Sequence, residues 1–223
     1  MRATPAAALA LLLGACAGGP PPPHWQANAQ QAMEAAMSAH LTGDSAAEAR
    51  EIERARRVLS ATGSPPLLAR AELMRCAAHV ASLAFDPCDA FERLRRDVDA
   101  PERAYADYLA GRLQPHDVAL LPPAQQPVAR AAGRPAAAQA ALKDVRDPLS
   151  RLVAAAVLFR RGDADPATLA LAVDTASAQG WRRALLAWLQ VQLALAEKAG
   201  DVQAAERLRR RIEIAQGTPA AGR

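Results

Sequence analysis

The sequence has few aromatic residues and almost no signal for β-strands. Of its 223 residues, 4% are Phe, Trp or Tyr, whereas 51% are hydrophobic, with alanine dominant. Almost no stretch is rich in Val, Ile, Thr and Tyr, which disfavours strands. Alanine has the highest helix propensity but is too small to fill a thick core. The composition therefore predicts an all-α protein of closely packed helix pairs rather than a large sandwich or barrel.

The sequence also lacks the usual motifs of catalysis and cofactor binding. Its histidines, His24, His40, His79 and His116, show no metal-ligand spacing, and there is no nucleophile elbow or glycine-rich phosphate loop. His116 and Asp117 are the only His–acid neighbours, and adjacent residues rarely form a catalytic dyad. We therefore expect no enzyme activity, no catalytic residue, no metal and no cofactor. We interpret His40 as a semi-buried residue of an apolar stripe and His79 as exposed.

The apolar run Ala6–Leu13 is too short for a transmembrane helix, which needs about 20 residues. Arg2 precedes this run, and the small residues Gly14 and Ala15 follow it, just before Cys16. A basic start, a short apolar core and small residues before the cleavage site are typical of an export signal. We predict that residues 1–15 are a signal peptide and that the mature chain begins at Cys16.

Leu13-Gly14-Ala15-Cys16 resembles the lipobox of bacterial lipoproteins, in which an aliphatic residue and two small residues precede the cysteine. The resemblance implies that Cys16 carries a diacylglyceryl thioether and an acylated amine, with acyl chains such as palmitate. Two or three chains anchor a protein stably, whereas one does not. Ala17 follows the cysteine instead of aspartate, which by the same resemblance implies the outer membrane, periplasmic side. The alternative is an ordinary cleaved signal followed by an unrelated cysteine.

Proline marks two irregular parts of the mature chain. Pro20–Pro23 favour an extended tether after the anchor, and four prolines exclude a long helix from residues 114–127. That segment is either a boundary between subdomains or a binding loop. The predicted organisation is a signal peptide (1–15), a lipidated cysteine with a Pro-rich tether (16–24), an N-terminal helical subdomain (25–113), a Pro-rich loop (114–127), a C-terminal helical subdomain (128–216) and a disordered tail (217–223).

About ten helices are predicted from apolar periodicity and from N-cap residues that precede proline. These N-cap signals are Ser64-Pro65, Asp86-Pro87, Asp147-Pro148 and Asp165-Pro166. The predicted helix over 181–199 is apolar nearly all round, which is typical of a helix buried by several neighbours. We expect it to be the structural centre of the C-terminal half.

A Gly-Asp pair follows a predicted helix three times, at Gly43, Gly162 and Gly200. Glycine suits the left-handed C-cap of one helix, and aspartate caps the next. Together with Gly133, two of these glycines recur near the period of about 34 residues found in tetratricopeptide (TPR) repeats. The C-terminal half therefore resembles TPR-like repeats, which implies stacked helical hairpins. An irregular helical bundle is the alternative.

Cys76 and Cys88 remain once Cys16 is assigned to lipid. An even pair of cysteines in an oxidising compartment predicts a disulfide. Because bridged Cα atoms lie within about 7 Å of each other, the helix that carries Cys76 must stop near residues 79–81. Residues 83–86 must then double back.

The formal net charge of +4 comes almost entirely from arginine. The arginines cluster near helix ends among Glu and Asp, whereas a nucleic-acid site needs them on one face with aromatic residues between. We therefore interpret them as solvated faces and predict no nucleic-acid partner. Contact with anionic lipid headgroups or with an acidic partner is the alternative.

These observations favour a lipid-anchored adaptor or scaffold that binds envelope proteins or peptides. Exposed aromatic residues and arginine anchor many interfaces, so we expect the binding groove among Tyr105, Tyr108, Trp181, Arg182 and Trp188. Core packing is the alternative role of Trp181 and Trp188. The alternative function is a cell-wall-acting enzyme or accessory factor whose site is not recognisable from the sequence.

Overall fold

Eleven α-helices and two 3₁₀ helices form the regular structure of residues 23–217, the part of the chain that the computed structural model describes. The α-helices are α1 (His24–Thr42), α2 (Ser45–Ser60), α3 (Pro65–Ala81), α4 (Asp89–Glu92), α5 (Ala100–Leu109), α6 (Gln126–Arg130), α7 (Pro135–Asp144), α8 (Pro148–Arg161), α9 (Pro166–Ala178), α10 (Arg182–Ala199) and α11 (Val202–Gln216). The 3₁₀ helices are Arg95–Asp97 and Pro115–Leu120. No strand occurs within residues 23–217, so the predicted all-α fold is confirmed.

The predicted signal peptide, Cys16 and most of the Pro-rich tether lie outside the described residues, as does the predicted tail after Gly217. Among the helices of residues 23–217, none combines the length and the apolar character needed to cross a membrane.

Aspartate side chains start four of the helices, two at predicted Asp-Pro signals and two at predicted Gly-Asp pairs, whereas at the third Gly-Asp pair Asp165 rather than Asp163 caps α9. The carboxylates of Asp44, Asp147, Asp165 and Asp201 each accept a hydrogen bond from the backbone N–H three residues on, at 2.7–2.9 Å. Such caps satisfy N–H groups that have no partner within the helix. Gly43 ends α1 with a left-handed φ of 98° directly before Asp44. The predicted Gly-Asp turn is therefore present between α1 and α2.

The segment between α3 and α4 brings the two cysteines together. Leu83 adopts a left-handed φ of 59°, just after the end of α3, and the chain doubles back. The Cα atoms of Cys76 and Cys88 lie 6.0 Å apart, with their sulfur atoms at bonding distance. The cysteine pairing agrees with the prediction. The predicted helix start at Asp86-Pro87 is wrong. The segment in which the chain doubles back includes these two residues, and α4 begins at Asp89.

One apolar core extends across the Pro-rich segment. Its buried members include Leu73 of α3, Leu109 of α5, Leu121 of the Pro-rich segment, Leu152 of α8 and Trp188 of α10. A smaller cluster lies between α1, α2 and the first part of α3. Residues from both predicted subdomains therefore share the larger core.

Helices that are distant in sequence pack against each other. Contacts join α3 to α8 and α1 to α10, besides those between consecutive helices such as α1 and α2 or α10 and α11. In a strict solenoid each repeat contacts only its neighbours. The contacts across the chain are those of a helical bundle that ends in a hairpin, α10–α11.

Only the first half of α10 is buried as predicted. Ala184, Trp188 and Leu189 are fully enclosed, and the Trp188 indole N–H donates a hydrogen bond to the Ala81 carbonyl at 3.1 Å. In contrast, residues from 194 onward are mostly exposed, and Leu195 keeps 48% of its surface accessible. Helix α10, predicted to be the structural centre of the C-terminal half, therefore lies at the surface over its last turns.

Candidate functional site

Glu48 on α2 is a buried carboxylate that lies between two histidines. Its Oε2 is 2.9 Å from Nδ1 of His40 on α1, and its Oε1 is 2.7 Å from Nε2 of His79 on α3. The two imidazole rings stack with their centroids 3.9 Å apart. One carboxylate thus links the first three helices. We call these residues, with Arg75 and Arg183, the Glu48 cluster.

The α1–α2 turn explains how His40 meets Glu48. Gly43 and Asp44 reverse the chain, so that the last turn of α1 lies beside the first turn of α2. His40 and Glu48 stand at similar distances on either side of this reversal. Their pairing is thus a local consequence of the turn.

Two arginines complete the cluster. Nη1 of Arg183, on α10, lies 2.8 Å from His40 Nδ1 and 3.4 Å from Glu48 Oε2, and its Nη2 donates a hydrogen bond to the Ser45 hydroxyl at 2.7 Å. Nε of Arg75, on α3, is 3.7 Å from Glu48 Oε1. The guanidinium groups compensate the buried negative charge. Through Arg183, the cluster attaches α10 to the N-terminal helices.

Burial and hydrogen bonding shift the pKa values in this cluster. Desolvation lowers the pKa of His40 to about 4, against the opposing effect of its hydrogen bond to Glu48. Desolvation acts to raise the pKa of Glu48, but hydrogen bonds from His79 and His40 outweigh it and lower that pKa. His40 is therefore neutral and Glu48 charged at neutral pH. The Nε2 atom of His40 is buried without a hydrogen-bond partner.

By ligand type alone, His40, Glu48 and His79 could hold a metal ion, since one ligand atom of each lies within 4.8 Å of the others. The arrangement fits an ion poorly. Stacked imidazoles direct their in-plane lone pairs side by side rather than towards one point, and the guanidinium of Arg183 already supplies a cation beside both His40 and Glu48. We therefore assign no metal to this cluster.

A cleft of about 630 Å³ opens beside the cluster and has walls of mixed charge. Arg56, Arg75, Arg93 and Arg183 line it, together with Glu48, Glu53 and Asp89. Arg56 is held by both oxygens of Glu72, at 2.7 and 3.0 Å. Since most of these charges compensate one another, the cleft shows no preference for a ligand of either sign.

A second cavity, of about 350 Å³, lies against the Pro-rich segment. Its apolar walls include Val118 of the second 3₁₀ helix, Val128 of α6, Val157 of α8 and the ring of Tyr108 on α5. The Tyr108 hydroxyl donates a hydrogen bond to Gln125 Oε1 at 2.8 Å, and burial raises the pKa of this hydroxyl above its usual range. We call this cavity the apolar pocket.

The five residues expected to form a binding groove do not share one exposed surface. Tyr108 and Trp188 are buried, so neither lies on the outer surface of the protein, and the Tyr108 ring lines the apolar pocket instead. Tyr105 stacks against Tyr108 with ring centroids 6.2 Å apart and is half-buried, as is Trp181. Arg182 is exposed. The rings of the four aromatic residues pack between helices. For Trp181 and Trp188, core packing was the alternative role given above.

Two histidines differ from expectation. His40 is fully buried rather than semi-buried, with its Nε2 unpartnered, and His79 is half-buried against Glu48 rather than exposed. His116 is exposed, and its Nε2 lies 3.6 Å from Asp117 Oδ1, too far for a direct hydrogen bond. Sequence reasoning missed Glu48. Its position across the turn from His40 was the available signal.

The terminal hairpin α10–α11 carries exposed apolar residues. In the described part of the chain, four large hydrophobic side chains are strongly exposed, and three of them are on this hairpin: Leu195 at 48%, Val202 at 65% and Ile214 at 69%. The fourth is Met74, on α3, at 40%. Helix α11 also carries four exposed arginines: Arg207, Arg209, Arg210 and Arg211.

The fold and these sites define an all-α protein of packed helical hairpins. No protein-family model matches the chain, and neither does a curated protein or a solved structure.

Proposed function

We propose that the protein is a lipid-anchored adaptor of the bacterial cell envelope that binds an acidic protein partner through the hairpin α10–α11. The lipobox-like Leu13-Gly14-Ala15-Cys16 supports anchoring at the periplasmic face of the outer membrane. The observation that carries the adaptor function is the exposure of Leu195, Val202 and Ile214 on one hairpin.

Exposed apolar side chains are informative here because of where they occur. Single exposed hydrophobic residues are normal on a protein surface, whereas several on one element indicate an interaction surface. On α11, the buried residues are Ala205 and Ile212, so only one side of this helix packs against the rest of the protein. A partner that packs on the outer side would remove the remaining apolar surface from water, at about 25 cal/mol per Å².

The charge of α11 indicates the sign of the partner. Its four arginines exceed its two acidic residues, Glu206 and Glu213. Arg209 forms an ion pair with Glu197 of α10 at 2.5 Å. Arg207, Arg210 and Arg211 form no ion pair with a carboxylate of residues 23–217. Complementary charges guide association and select partners, so the surface fits an acidic segment that also presents apolar side chains.

The test is site-specific photo-crosslinking in the producing cells, with the crosslinker at Gln203, an exposed residue of α11 that the variants below leave unchanged, followed by affinity capture and mass spectrometry. We expect one dominant envelope protein. Capture should be lost in the variant Leu195→Ser/Val202→Ser/Ile214→Ser and kept in the matched control Met74→Ser, because Met74 is exposed on another helix. Equal loss in both variants, or a crosslink that survives the triple change, contradicts the proposed surface.

The charge of the partner is tested separately. Arg207→Glu/Arg210→Glu should weaken binding of the purified partner at least tenfold, and added salt should weaken binding to the unaltered protein. Neither change alters the core, because both side chains are exposed. A partner that binds equally well after charge reversal is not recognised through acidic groups.

The alternative function, a cell-wall-acting enzyme, gains little from the Glu48 cluster. General acid–base catalysis is most efficient with pKa values near the working pH. Burial lowers the pKa of His40 to about 4, and hydrogen bonds lower the pKa of Glu48 below its usual value of 4.5, so both lie far from neutral pH. We therefore propose no reaction at this cluster and treat it as a structural junction.

A further inference from the structure

The apolar pocket has an inner part and a mouth of different chemistry. The inner walls are buried aliphatic side chains, among them Val118, Val128 and Val157. Tyr108 contributes its ring, and its hydroxyl is already bonded to Gln125. The inner part therefore favours a hydrocarbon group over a polar one.

The mouth of the pocket is cationic. Its lining includes Arg130, the last residue of α6, and Arg161, the last residue of α8, but no aspartate or glutamate. Arg161 is partly neutralised by Asp163, whose Oδ2 lies 3.0 Å from its Nε.

Arg130 keeps its charge available. Its Nη2 donates a hydrogen bond to the neutral amide of Gln126 at 2.6 Å, and it forms no ion pair with a carboxylate of residues 23–217. The side chain is exposed. An anionic group at the mouth of the pocket can therefore reach an uncompensated guanidinium.

We propose that this pocket binds a medium-chain aliphatic carboxylate, with the alkyl chain among the three valines and the carboxylate at Arg130. A cavity of about 350 Å³ lies within the range of small-molecule sites. Since a water-sized group takes up about 30 Å³ in the liquid, the cavity accepts roughly ten methylene-sized groups. This site goes beyond the proposed adaptor function and shares no residue with the hairpin surface.

The test is isothermal titration calorimetry of the full chain carrying Cys16→Ser, which prevents acylation and avoids detergent. The probes are decanoate, decan-1-ol and decylamine, which have the same alkyl chain but a negative, neutral and positive end. We expect decanoate to bind at least tenfold more tightly than the alcohol, and the amine more weakly than both. Equal binding of the three probes would overturn the proposal, since it would show partitioning without recognition of charge.

Variants locate the site. Arg130→Gln should weaken decanoate binding about tenfold, the scale of one charge-assisted hydrogen bond, and leave decan-1-ol unaffected. Arg146→Gln is the matched control, because Arg146 is exposed and does not line the pocket. Equal weakening by both variants would show diffuse electrostatics and overturn the site.

Filling the cavity provides a test independent of charge. Ala129→Trp should abolish binding of decanoate, and Ala132→Leu, a smaller change, should weaken it in case the first variant unfolds; both alanines line the pocket. Circular dichroism checks that each variant is folded. Undiminished binding in a folded Ala129→Trp places the ligand elsewhere. If an acidic peptide with an apolar side chain binds in this pocket and decanoate does not, the carboxylate proposal is refuted and the pocket belongs to a protein interface.

Discussion

Acidification should destabilise the protein by forcing a proton onto His40. The imidazole is buried between Glu48 of α2, His79 and Arg75 of α3 and Arg183 of α10. Burial, the neighbouring His79 and Arg183 disfavour its charged form, and Glu48 offsets this only in part. The folded protein therefore resists protonation at a pH where the unfolded chain accepts it.

The sign and size of the effect follow from the two pKa values. The pKa of His40 is 6.5 when unfolded and about 4 when folded, a difference that corresponds to about 3 kcal/mol in total. Below pH 6.5 the unfolded state binds more protons, so stability falls as the pH falls, by about 2 kcal/mol between pH 7 and pH 5. The lowered pKa of Glu48 stabilises the fold above its ordinary value of 4.5, and that contribution is lost only at lower pH. The window from pH 7 to pH 5 therefore separates the contribution of His40 from that of Glu48, and the His40 variant separates it from the other histidines.

Urea unfolding followed by circular dichroism, at constant ionic strength between pH 7 and pH 5, measures this loss. His40→Gln keeps a hydrogen-bond donor but cannot be protonated, so its stability should fall by about 2 kcal/mol less than that of the unaltered protein over this window. His116→Gln is the control, because the His116 side chain is 80% exposed, and it should retain the full loss. The reasoning is refuted if His40→Gln loses as much stability as the unaltered protein.

Three further predictions concern stability. Arg183→Leu leaves Glu48 without its partner from α10 and should lower the free energy of unfolding by about 3 kcal/mol. The control Arg182→Leu, at an exposed neighbour, should lower it by under about 0.5 kcal/mol. Urea unfolding compares the two variants, and equal losses contradict a junction at Arg183. Trp188→Ala should cost about 4 kcal/mol, since the indole is fully buried, and a loss below about 1 kcal/mol in calorimetry contradicts its core role. Reducing the Cys76–Cys88 pair, separated by 12 residues, should cost about 3 kcal/mol; a protein whose melting temperature is unchanged by reductant argues against this estimate.

The helices were predictable because their signals are local. For α8 the N-cap aspartate, the following proline and the C-cap glycine all lie within or next to the helix, which runs between these predicted signals, from Pro148 to Arg161. At α4 the same type of signal is misleading, because the link between Cys76 and Cys88 competes for the residues around Asp86. A constraint from another helix overrides the local cap.

The Pro-rich segment shows a similar limit. Its prolines correctly exclude a long helix, and the segment forms the short 3₁₀ helix Pro115–Leu120 instead. The sequence left open whether this segment separates two subdomains or binds a ligand. In the structure it packs into the common core through Leu121 and forms one wall of the apolar pocket through Val118. Both roles depend on α5 and α8, which the segment itself does not encode.

By itself, the sequence determined that residues 23–217 are mostly helical and roughly where most helices begin and end, because caps, proline and apolar periodicity act over a few residues. The pairing of Cys76 with Cys88 followed from the number of cysteines. The tertiary structure alone decided which charged and apolar groups are buried. His40 and Arg183 lie 143 residues apart in the chain and 2.8 Å apart in the fold. Burial depends on every helix that packs around a side chain, so neither the contact of Arg183 with the Glu48 cluster nor the exposed end of α10 could be read from local pattern.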